Sequence, residues 1–470
     1  MKHFIEGATF RERARKTLQN KPMRKAVQKC VDILETRKSK AADELGNWDD
    51  WRERGRQIRK HTVDNLDYYL GLLSDNVRKL GGEVYFATDG KDAREIVSAI
   101  IKKHEAKLIV KSKSMVSEEI HLNKHLTAEG LDVFETDLAE YILQLANEPP
   151  SHIVVPAIHK SRDQIAELFS EVKGEKLSTD TPTLTAFSRY ILRDKFIKAD
   201  VGITGCNFAI AETGSVALVT NEGNARLVSS LPKVHIAIMG MERVLPTFED
   251  LEAILTLLPR SATGQKLTSY VSVTTGPRKK GDLDGPEHFY LVILDNGRSK
   301  MLADPDFRQA LHCTRCGACF NVCPVYRQVG GHAYGSVYGG PIGSVISSFL
   351  DDGLKDFGGL AYASTLCAAC SEICSVKIPI HELLFKLRHR YVEDGNSGFT
   401  ERSIFKVWRV AYEKQDTYNI AMRTAAVVQK PLVDHGYIKW GPPPLSSWTN
   451  SRYFPAISDK SFRERWDSKH

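Results

Sequence analysis

The spacing of apolar residues changes along the chain and divides it into regions of different secondary structure. From Trp48 to about Arg78 apolar side chains recur at helical spacing, and the residues before Trp48 are helix formers interrupted at Gly46-Asn47. The pattern predicts two or more helices in an N-terminal arm, residues 1–80.

Short β-branched runs alternate with amphipathic stretches from Gly81 to about Gly297. The predicted strands are Glu83–Thr88, Lys107–Lys111, Asp132–Glu135, His152–Val155, Val201–Ile203, Ser215–Thr220, His235–Ile238, Ser269–Thr274 and Phe289–Leu294. The predicted helices are Asp92–His104, Ser117–Glu129, Asp137–Asn147, Ser161–Glu171, Thr183–Lys195 and Phe248–Arg260. This alternation is typical of an α/β domain with a mostly parallel sheet, here residues 81–298. Consecutive strands between Val201 and His235 predict a mixed portion of the sheet.

The pattern changes again after Gly297. Helices are predicted over Asp304–Leu311 and His381–Glu393, on either side of a glycine-rich segment, Val329–Gly343. We therefore predict a smaller, mostly α domain over residues 299–395. A C-terminal extension over residues 396–470 follows it.

Composition narrows the class of protein. The chain has 470 residues, 42% hydrophobic and 26% charged, as in ordinary globular proteins. No apolar run approaches the roughly 18 residues of a membrane span, and the first residues show no apolar stretch of a secretion signal. We expect a cytoplasmic protein without a transmembrane segment, with peripheral attachment to the inner face of the membrane left open.

The net charge of +7 is unevenly distributed. Residues 1–60 hold seventeen Lys or Arg against nine Asp or Glu, so the excess belongs to the N-terminal arm. A solvated helical face is the favoured interpretation, followed by docking to an acidic partner. Nucleic acid is not expected as a partner, because the arm lacks the interleaved basic and aromatic residues of a nucleic-acid module.

Seven of the nine cysteines fall within residues 313–374. The first array reads Cys313-x2-Cys316-x2-Cys319-x3-Cys323-Pro324, which is the bacterial ferredoxin spacing for a cubane iron-sulfur cluster. Iron is held by thiolates because their sulfur is soft and donates charge. The short spacing lets a single loop present three thiolates to one cluster. In two-cluster proteins the fourth cysteine of such a run binds the other cluster, so a second array is expected.

The second array is Cys367-x2-Cys370-x3-Cys374, with serine at two positions of the motif, Ser364 and Ser375. Crossed ligation assigns Cys313, Cys316, Cys319 and Cys374 to cluster 1. Cluster 2 then has three thiolates, from Cys323, Cys367 and Cys370.

Both clusters are predicted to be [4Fe-4S], the second completed by Ser364, by solvent or by a partner residue, with [3Fe-4S] as the alternative. A zinc site is disfavoured, because zinc takes paired CxxC units and has little use for a Cys-Pro ending a four-cysteine run. Cys30 and Cys206 stand alone and are interpreted as small buried apolar residues.

The α/β region offers one weak catalytic candidate. Glu212, flanked by Thr213 and Gly214 at a strand end, has the chemistry of a base, a nucleophile or a polar-ligand contact. Asn224 and Arg226 lie in the loop after the next predicted strand. By composition these loops are more typical of turns. GxGxxG, P-loop and GxSxG motifs do not occur here, which disfavours nicotinamide, nucleotide and serine-hydrolase chemistry.

These motifs together resemble the lactate utilization protein B family. The residues that carry the resemblance, besides the two cysteine arrays, are Lys113–Glu119, Pro150–Val154, Ala211–Ser215 and His332–Tyr338. The resemblance covers nearly the whole chain. It implies a LUD domain of the NagB/RpiA/CoA transferase-like fold group, joined to a ferredoxin-type dicluster domain, with the seven cysteines as cluster ligands. The missing eighth ligand belongs to the family pattern.

The resemblance implies a function as the iron-sulfur electron carrier of a multi-protein system that oxidises L-lactate to pyruvate. The expected partners are the other subunits of that system; the electron acceptor is not identified by the sequence. One alternative makes the LUD domain itself the lactate-oxidising or carboxylate-binding enzyme, acting through Glu212, Asn224 and Arg226. A second alternative is an iron-sulfur redox sensor whose basic arm contacts nucleic acid.

Overall fold

A computed structural model describes residues 9–350, 353–443 and 445–468. The chain forms two compact units, one ending at Tyr391 and the other beginning at Val392. The first eight residues of the predicted basic arm lie outside the described residues.

The arm is helical, as predicted. Its helices are Phe10–Gln19, Lys21–Leu45, Trp48–Asp64 and Leu66–Lys79. The break after the second helix falls at Gly46, which adopts a positive φ of 85° and lets the chain turn. Apolar residues of the second helix, such as Val27 and Val31, are fully buried against the cysteine-bearing region.

The α/β region is built on a parallel sheet of six strands. In chain order the strands of the first unit are β1 (Glu83–Ala87), β2 (Leu108–Lys111), β3 (Asp132–Glu135), β4 (Val201–Thr204), β5 (Phe208–Ile210), β6 (Ser215–Thr220), β7 (Val234–Gly240), β8 (Val244–Leu245), β9 (Tyr270–Thr274) and β10 (His288–Leu294). The main sheet has the order β1-β10-β7-β4-β2-β3, and every neighbouring pair is parallel. Its central strands β4, β7 and β10 are buried along nearly their whole length, as a sheet covered on both faces requires.

Helices cover the two faces of this sheet. They are Gly90–Lys103, Met115–Glu119, Leu122–Ala128, Leu138–Ala146, Arg162–Lys173, Thr181–Lys198, Asn224–Ser230 and Phe248–Thr263. One apolar core lies beneath β2 and the Gly90–Lys103 helix, and another lies between β10 and the Leu66–Lys79 helix. The predicted α/β fold class is confirmed.

Three predictions of local structure in the α/β region are wrong in detail. The mixed portion of the sheet is a separate four-stranded sheet of order β8-β5-β6-β9. The expected strand His152–Val155 is a run of turns, because the His152 ring nitrogen Nδ1 accepts the N–H groups of Val154 and Val155 at 3.0 and 3.1 Å. The expected helix Ser117–Glu129 divides at His121, which has a positive φ of 51°.

The cysteine-bearing region consists of short helices and turns around its own core. Its α-helices are Arg298–Ala303, Ala318–Asn321, Tyr326–Val329, Gly340–Ser347, Gly353–Phe357, Ala369–Glu372 and Ile380–Glu393. The predicted helix Asp304–Leu311 is only a 3-10 turn, Arg308–His312. Three buried aromatic residues, Phe320, Tyr326 and Tyr334, pack in the core of this region. The centre of the Tyr326 ring lies 5.0 Å from that of Phe320 and 6.2 Å from that of Tyr334.

Buried ion pairs join the α/β region to the cysteine-bearing region. The Arg298 guanidinium donates to Glu119 at 2.8 and 2.9 Å and to Glu242 at 2.7 Å. The Tyr338 hydroxyl, from beyond the first cysteine array, donates to the same Glu119 carboxylate at 2.7 Å. All these groups are buried, so the two carboxylates depend on Arg298 to compensate their negative charge.

The second unit is described by itself. It holds the helices Phe399–Glu413, Gln415–Val428, Ser446–Thr449 and Phe462–Asp467 and an antiparallel sheet of three two-residue strands, β11 (Val433–Asp434), β12 (Tyr437–Ile438) and β13 (Phe454–Pro455). Across the described parts of both units, no helix combines the length and the apolar character needed to cross a membrane.

Replacing Arg298 tests the buried ion network. Arg298→Met leaves Glu119 and Glu242 without their main counter-charge, so we expect a loss of about 3–5 kcal/mol of unfolding free energy. Urea denaturation followed by circular dichroism measures it. The matched control is Arg278→Met, which removes an exposed pair with Glu287 and should cost at most about 1 kcal/mol. Equal losses in the two variants would contradict the prediction.

Candidate functional site

The two cysteine loops share one backbone conformation. In the first loop Arg315 and Gly317 have positive φ angles of 61° and 76°. Leu366 and Ala368, at the equivalent places of the second loop, have values of 55° and 67°. Each loop therefore turns twice through the left-handed region, and this wraps the backbone around the side chains between the turns.

Ser364 occupies the place of Cys313 in this repeat. The Arg315 N–H donates to the Cys313 sulfur at 3.4 Å, and the Leu366 N–H donates to the Ser364 hydroxyl at 3.1 Å. The serine thus reproduces the hydrogen bond that the cysteine makes in the first loop.

Four thiols gather in the buried part of the region. The pKa of Cys374 is raised to about 12. The largest cause is burial, followed by the neighbouring Cys316, and Cys313 contributes as well. Burial, and then Cys313 and Cys316, raise the pKa of Cys319 well above its ordinary value. Cys374 of the second array therefore lies beside Cys316 and Cys313 of the first, and Cys319 lies beside the same two.

The other three thiols form a second group, which reaches the surface only at Cys367. Burial, and then Cys323, raise the pKa of Cys370 to about 11, and Cys367 adds to the shift. Cys367 itself is exposed, and hydrogen bonds from the Thr365 hydroxyl and the Ala369 N–H lower its pKa. Cys370 also raises the pKa of Cys319, so the two groups adjoin.

Buried cations surround the first group. Arg59 is completely buried and donates to the carbonyls of His312 and Leu311 at 3.3 and 3.0 Å. Arg243 donates to the Cys313 carbonyl at 3.0 Å. Lys38, whose ammonium lies 5.0 Å from the Trp48 ring, interacts electrostatically with Cys316 and Cys374.

This environment fits an iron-sulfur cluster. Iron binds thiolates, and burial alone would keep these thiols protonated, so nearby cations and N–H···S hydrogen bonds are needed to stabilise negative sulfur. Further N–H groups meet Cys323 at 3.5 Å and Cys374 at 3.3 Å. Arg13, Lys38 and Arg59 of the arm are buried, so these three cations are not part of the solvated face that the charge of the arm predicts.

A cavity of about 420 Å³ adjoins the first cysteine loop. Its walls come from the segment after β2, Ser112–Ser114, from the segment after β4, Gly205–Asn207, and from Thr314 and Arg315 between two cysteines of the first array. Cys206 lines the cavity, and burial raises its pKa to about 12, so its thiol stays protonated near neutral pH.

Of the three candidate site residues that the sequence offers in the α/β region, the structure places only one in the cavity. Asn224 is buried and lines the cavity. Glu212 is exposed and its carboxylate accepts the Phe248 N–H at 2.7 Å at the start of a helix; Arg226 is also exposed. Neither Glu212 nor Arg226 lines the cavity. Sequence reasoning missed Arg315 and Lys113 as cavity residues, although Arg315 stands inside the ferredoxin motif.

Comparison with protein families matches three models along the chain. A LUD domain matches residues 70–294, a 4Fe-4S dicluster domain residues 309–378, and the C-terminal domain of lactate utilisation protein B residues 389–470. These matches confirm the predicted LUD fold joined to an iron-sulfur domain.

Curated relatives match over nearly the whole chain. The chain is 51% identical to "Lactate utilization protein B" of Geobacillus sp. (strain WCH70), over 99% of this chain and 98% of the relative. It is 50% identical to the protein of the same name from Bacillus subtilis (strain 168), over 97% of this chain and 95% of the relative. A crystal structure of a DUF162 family protein from Deinococcus radiodurans is 15% identical and covers 49% of this chain and 98% of its own, with a TM-score of 0.29, which is too low to support an argument.

Gly317→Ala tests the geometry of the first loop. A Cβ there would lie 3.1 Å from Val154 Cγ2 and 3.3 Å from His152 Cε1, at a φ that disfavours side chains, so we expect a loss of about 1–3 kcal/mol. The measurements are the melting temperature and the iron retained per chain after gel filtration. The matched control, Ala368→Gly, relieves the same φ in the second loop and should retain wild-type values. Unchanged stability and iron content in Gly317→Ala would contradict the prediction.

Proposed function

This chain belongs to the lactate utilization protein B family, and from that premise we propose that it is the iron-sulfur electron carrier of a multi-protein system that oxidises L-lactate to pyruvate. One observation carries the proposal. Two thiol groups adjoin each other, one buried beside a cavity and the other reaching the surface at Cys367. This arrangement suits a path for electrons from the interior to a docking partner.

The proposed ligands of cluster 1 are Cys313, Cys316, Cys319 and Cys374. Those of cluster 2 are Cys323, Cys367 and Cys370, with Ser364 at the position of a fourth ligand. The mutual influence of these thiols on their pKa values supports the crossed assignment. The hydrogen bond that Ser364 accepts in the place of Cys313 supports its position in the second set.

The residues of this chain would set how easily each site takes an electron. When bound, each cluster supplies one-electron redox chemistry. Lys38, Arg59 and Arg243 compensate negative charge near the first thiol group, which favours the reduced state there. The exposed thiol of Cys367 brings the second group to the surface, where an acceptor can approach.

Partner subunits complete the proposed system. Lactate oxidation releases two electrons, which two one-electron sites can take in sequence, and the sequence carries no nicotinamide fingerprint for taking them as hydride. We propose that the primary lactate chemistry lies on another subunit. A cytoplasmic location is proposed because thiols that must bind iron are kept reduced there.

Four single substitutions test the crossed ligation. If it is correct, Cys374→Ser and Cys313→Ser perturb the same electron paramagnetic resonance signal of the dithionite-reduced protein, because both remove a ligand of cluster 1. Cys323→Ser and Cys370→Ser should perturb the other signal. An uncrossed arrangement would instead pair Cys374 with Cys370 and Cys323 with Cys313. Cys30→Ser, outside both arrays, is the control and should leave both signals unchanged.

Ser364→Cys tests the second cluster. The native protein, purified without oxygen, should contain about seven or eight irons, and the added thiolate should give about eight with a changed signal from cluster 2 alone. Ser375→Cys, at the other serine of the motif, is the control and should not change that signal. About four irons in the native protein would contradict the two-cluster proposal.

The carrier role is tested by adding L-lactate to the purified, oxidised holoprotein. We expect no bleaching of the cluster absorption from lactate alone, and bleaching once the other subunits of the system are added. Bleaching by lactate alone would replace the carrier proposal with the enzyme alternative.

Salt-dependent retention of DNA by the holoprotein, lost on removing residues 1–60, would instead favour the sensor.

A further inference from the structure

The cavity beside the first cysteine loop lies at the topological switch point of the main sheet. Strands β2 and β4 are neighbours, and the chain leaves them in opposite directions: β2 leads outward to β3, whereas β4 leads back to β7. In open α/β sheets, ligands bind in the crevice outside the carboxyl ends of two such strands. Ser112–Ser114 and Gly205–Asn207, which directly follow β2 and β4, form this part of the cavity wall.

The cavity wall also includes Arg315, an arginine with an unused donor. Nη2 of Arg315 lies 3.3 Å from a Glu242 carboxylate oxygen, and its guanidinium lies 4.7 Å from the centre of the Tyr338 ring. Its Nη1 is buried and has no hydrogen-bond partner among the described residues. A buried guanidinium N–H without an acceptor is costly, so this donor requires a partner that the chain itself does not supply.

The charged groups nearest to Arg315 are engaged with other partners. Glu242 is already engaged by Arg298 at 2.7 Å, and Arg243, a second cation of the wall, donates to main-chain carbonyls. Lys113, a third cation of the wall, donates to the Val154 carbonyl at 2.9 Å.

The other carboxylates of the wall are engaged at the start of a helix. Asp137 accepts the Ala139 N–H at 3.0 Å, and Glu222 accepts the Leu138 N–H at 3.0 Å. The carboxylates of the wall therefore have other partners, and none of them accepts from Nη1 of Arg315.

We propose that this cavity binds a small organic carboxylate, whose oxygens accept from Arg315 Nη1, between the ends of β2 and β4 and the first cysteine loop. A carboxylate oxygen suits this donor, because a hydrogen bond between two charged groups is stronger than one to a neutral acceptor. The side-chain oxygen of Asn207, also in the wall, accepts the Val219 N–H at 2.9 Å, and we assign its amide N–H groups to a hydroxyl or oxo group of the ligand. Arg315 lies between Cys313 and Cys316 in the sequence, so a molecule bound to Arg315 would change the electrostatic environment of the first thiol group.

Isothermal titration of the anaerobic holoprotein tests the proposal. The ligands are L-lactate and pyruvate, a choice that rests on the proposed function, together with lactamide, a lactate analogue without the negative charge. We expect the carboxylates to bind and lactamide to bind at least tenfold more weakly. Arg315→Gln should weaken carboxylate binding at least tenfold, and Arg226→Gln, an exposed arginine outside the cavity, should not.

A second variant and a second readout guard against damage to the iron site. Asn207→Ala changes the cavity away from the cysteine loops and should also weaken binding. In the wild type, saturating lactate should shift the resonance signal of the reduced first cluster, and in Arg315→Gln the shift should be absent.

Several results would overturn the inference. They are a lack of carboxylate binding, unchanged affinity in Arg315→Gln, and loss of the first cluster in Arg315→Gln while Asn207→Ala binds normally. The last result would assign Arg315 to the cluster. Lack of binding in a protein with two intact clusters would leave the proposed function standing. Carboxylate binding to a protein without clusters would uphold the cavity and refute the carrier.

Discussion

Seven thiols gathered in a largely dry interior impose the main electrostatic constraint on this structure. Burial opposes ionisation of a thiol, and without compensation the buried members of this set would stay protonated and unable to hold iron. The chain meets this constraint with Lys38, Arg59 and Arg243, and with N–H groups directed at sulfur. Two of these cations come from the helical arm, so the arm contributes to the surroundings of these thiols.

Buried polar contacts also join the regions of the first unit. Arg243 follows β7 of the main sheet and binds the main chain of the first cysteine loop, while Arg298 and Tyr338 meet at Glu119. A change at the end of the sheet can therefore reach the cysteine loop through a few hydrogen bonds. This continuity is the physical basis for our two proposals, which place a ligand cavity and an electron path next to each other.

Much of the fold followed from local pattern. Alternating strands and helices identified the α/β class, and most strands of the main sheet lie where β-branched runs predicted them, as at β2 and β10. His152–Val155 has the composition of a strand, yet the His152 side chain captures two backbone N–H groups and turns the chain. A side chain that competes for main-chain hydrogen bonds leaves no trace in hydrophobic periodicity.

The sequence by itself determined the two cysteine loops: the seven cysteines, their ferredoxin spacing and the serine at the eighth position. The physical reason is that a short covalent spacing limits the conformations of a loop. Only the tertiary structure decided which side chains meet across the chain. It brought Cys374 beside Cys316, placed Arg315 and Asn224 in one cavity, and left Glu212 on the surface at a helix start. These outcomes depend on strand order and on the packing of buried charges, which join residues far apart in sequence.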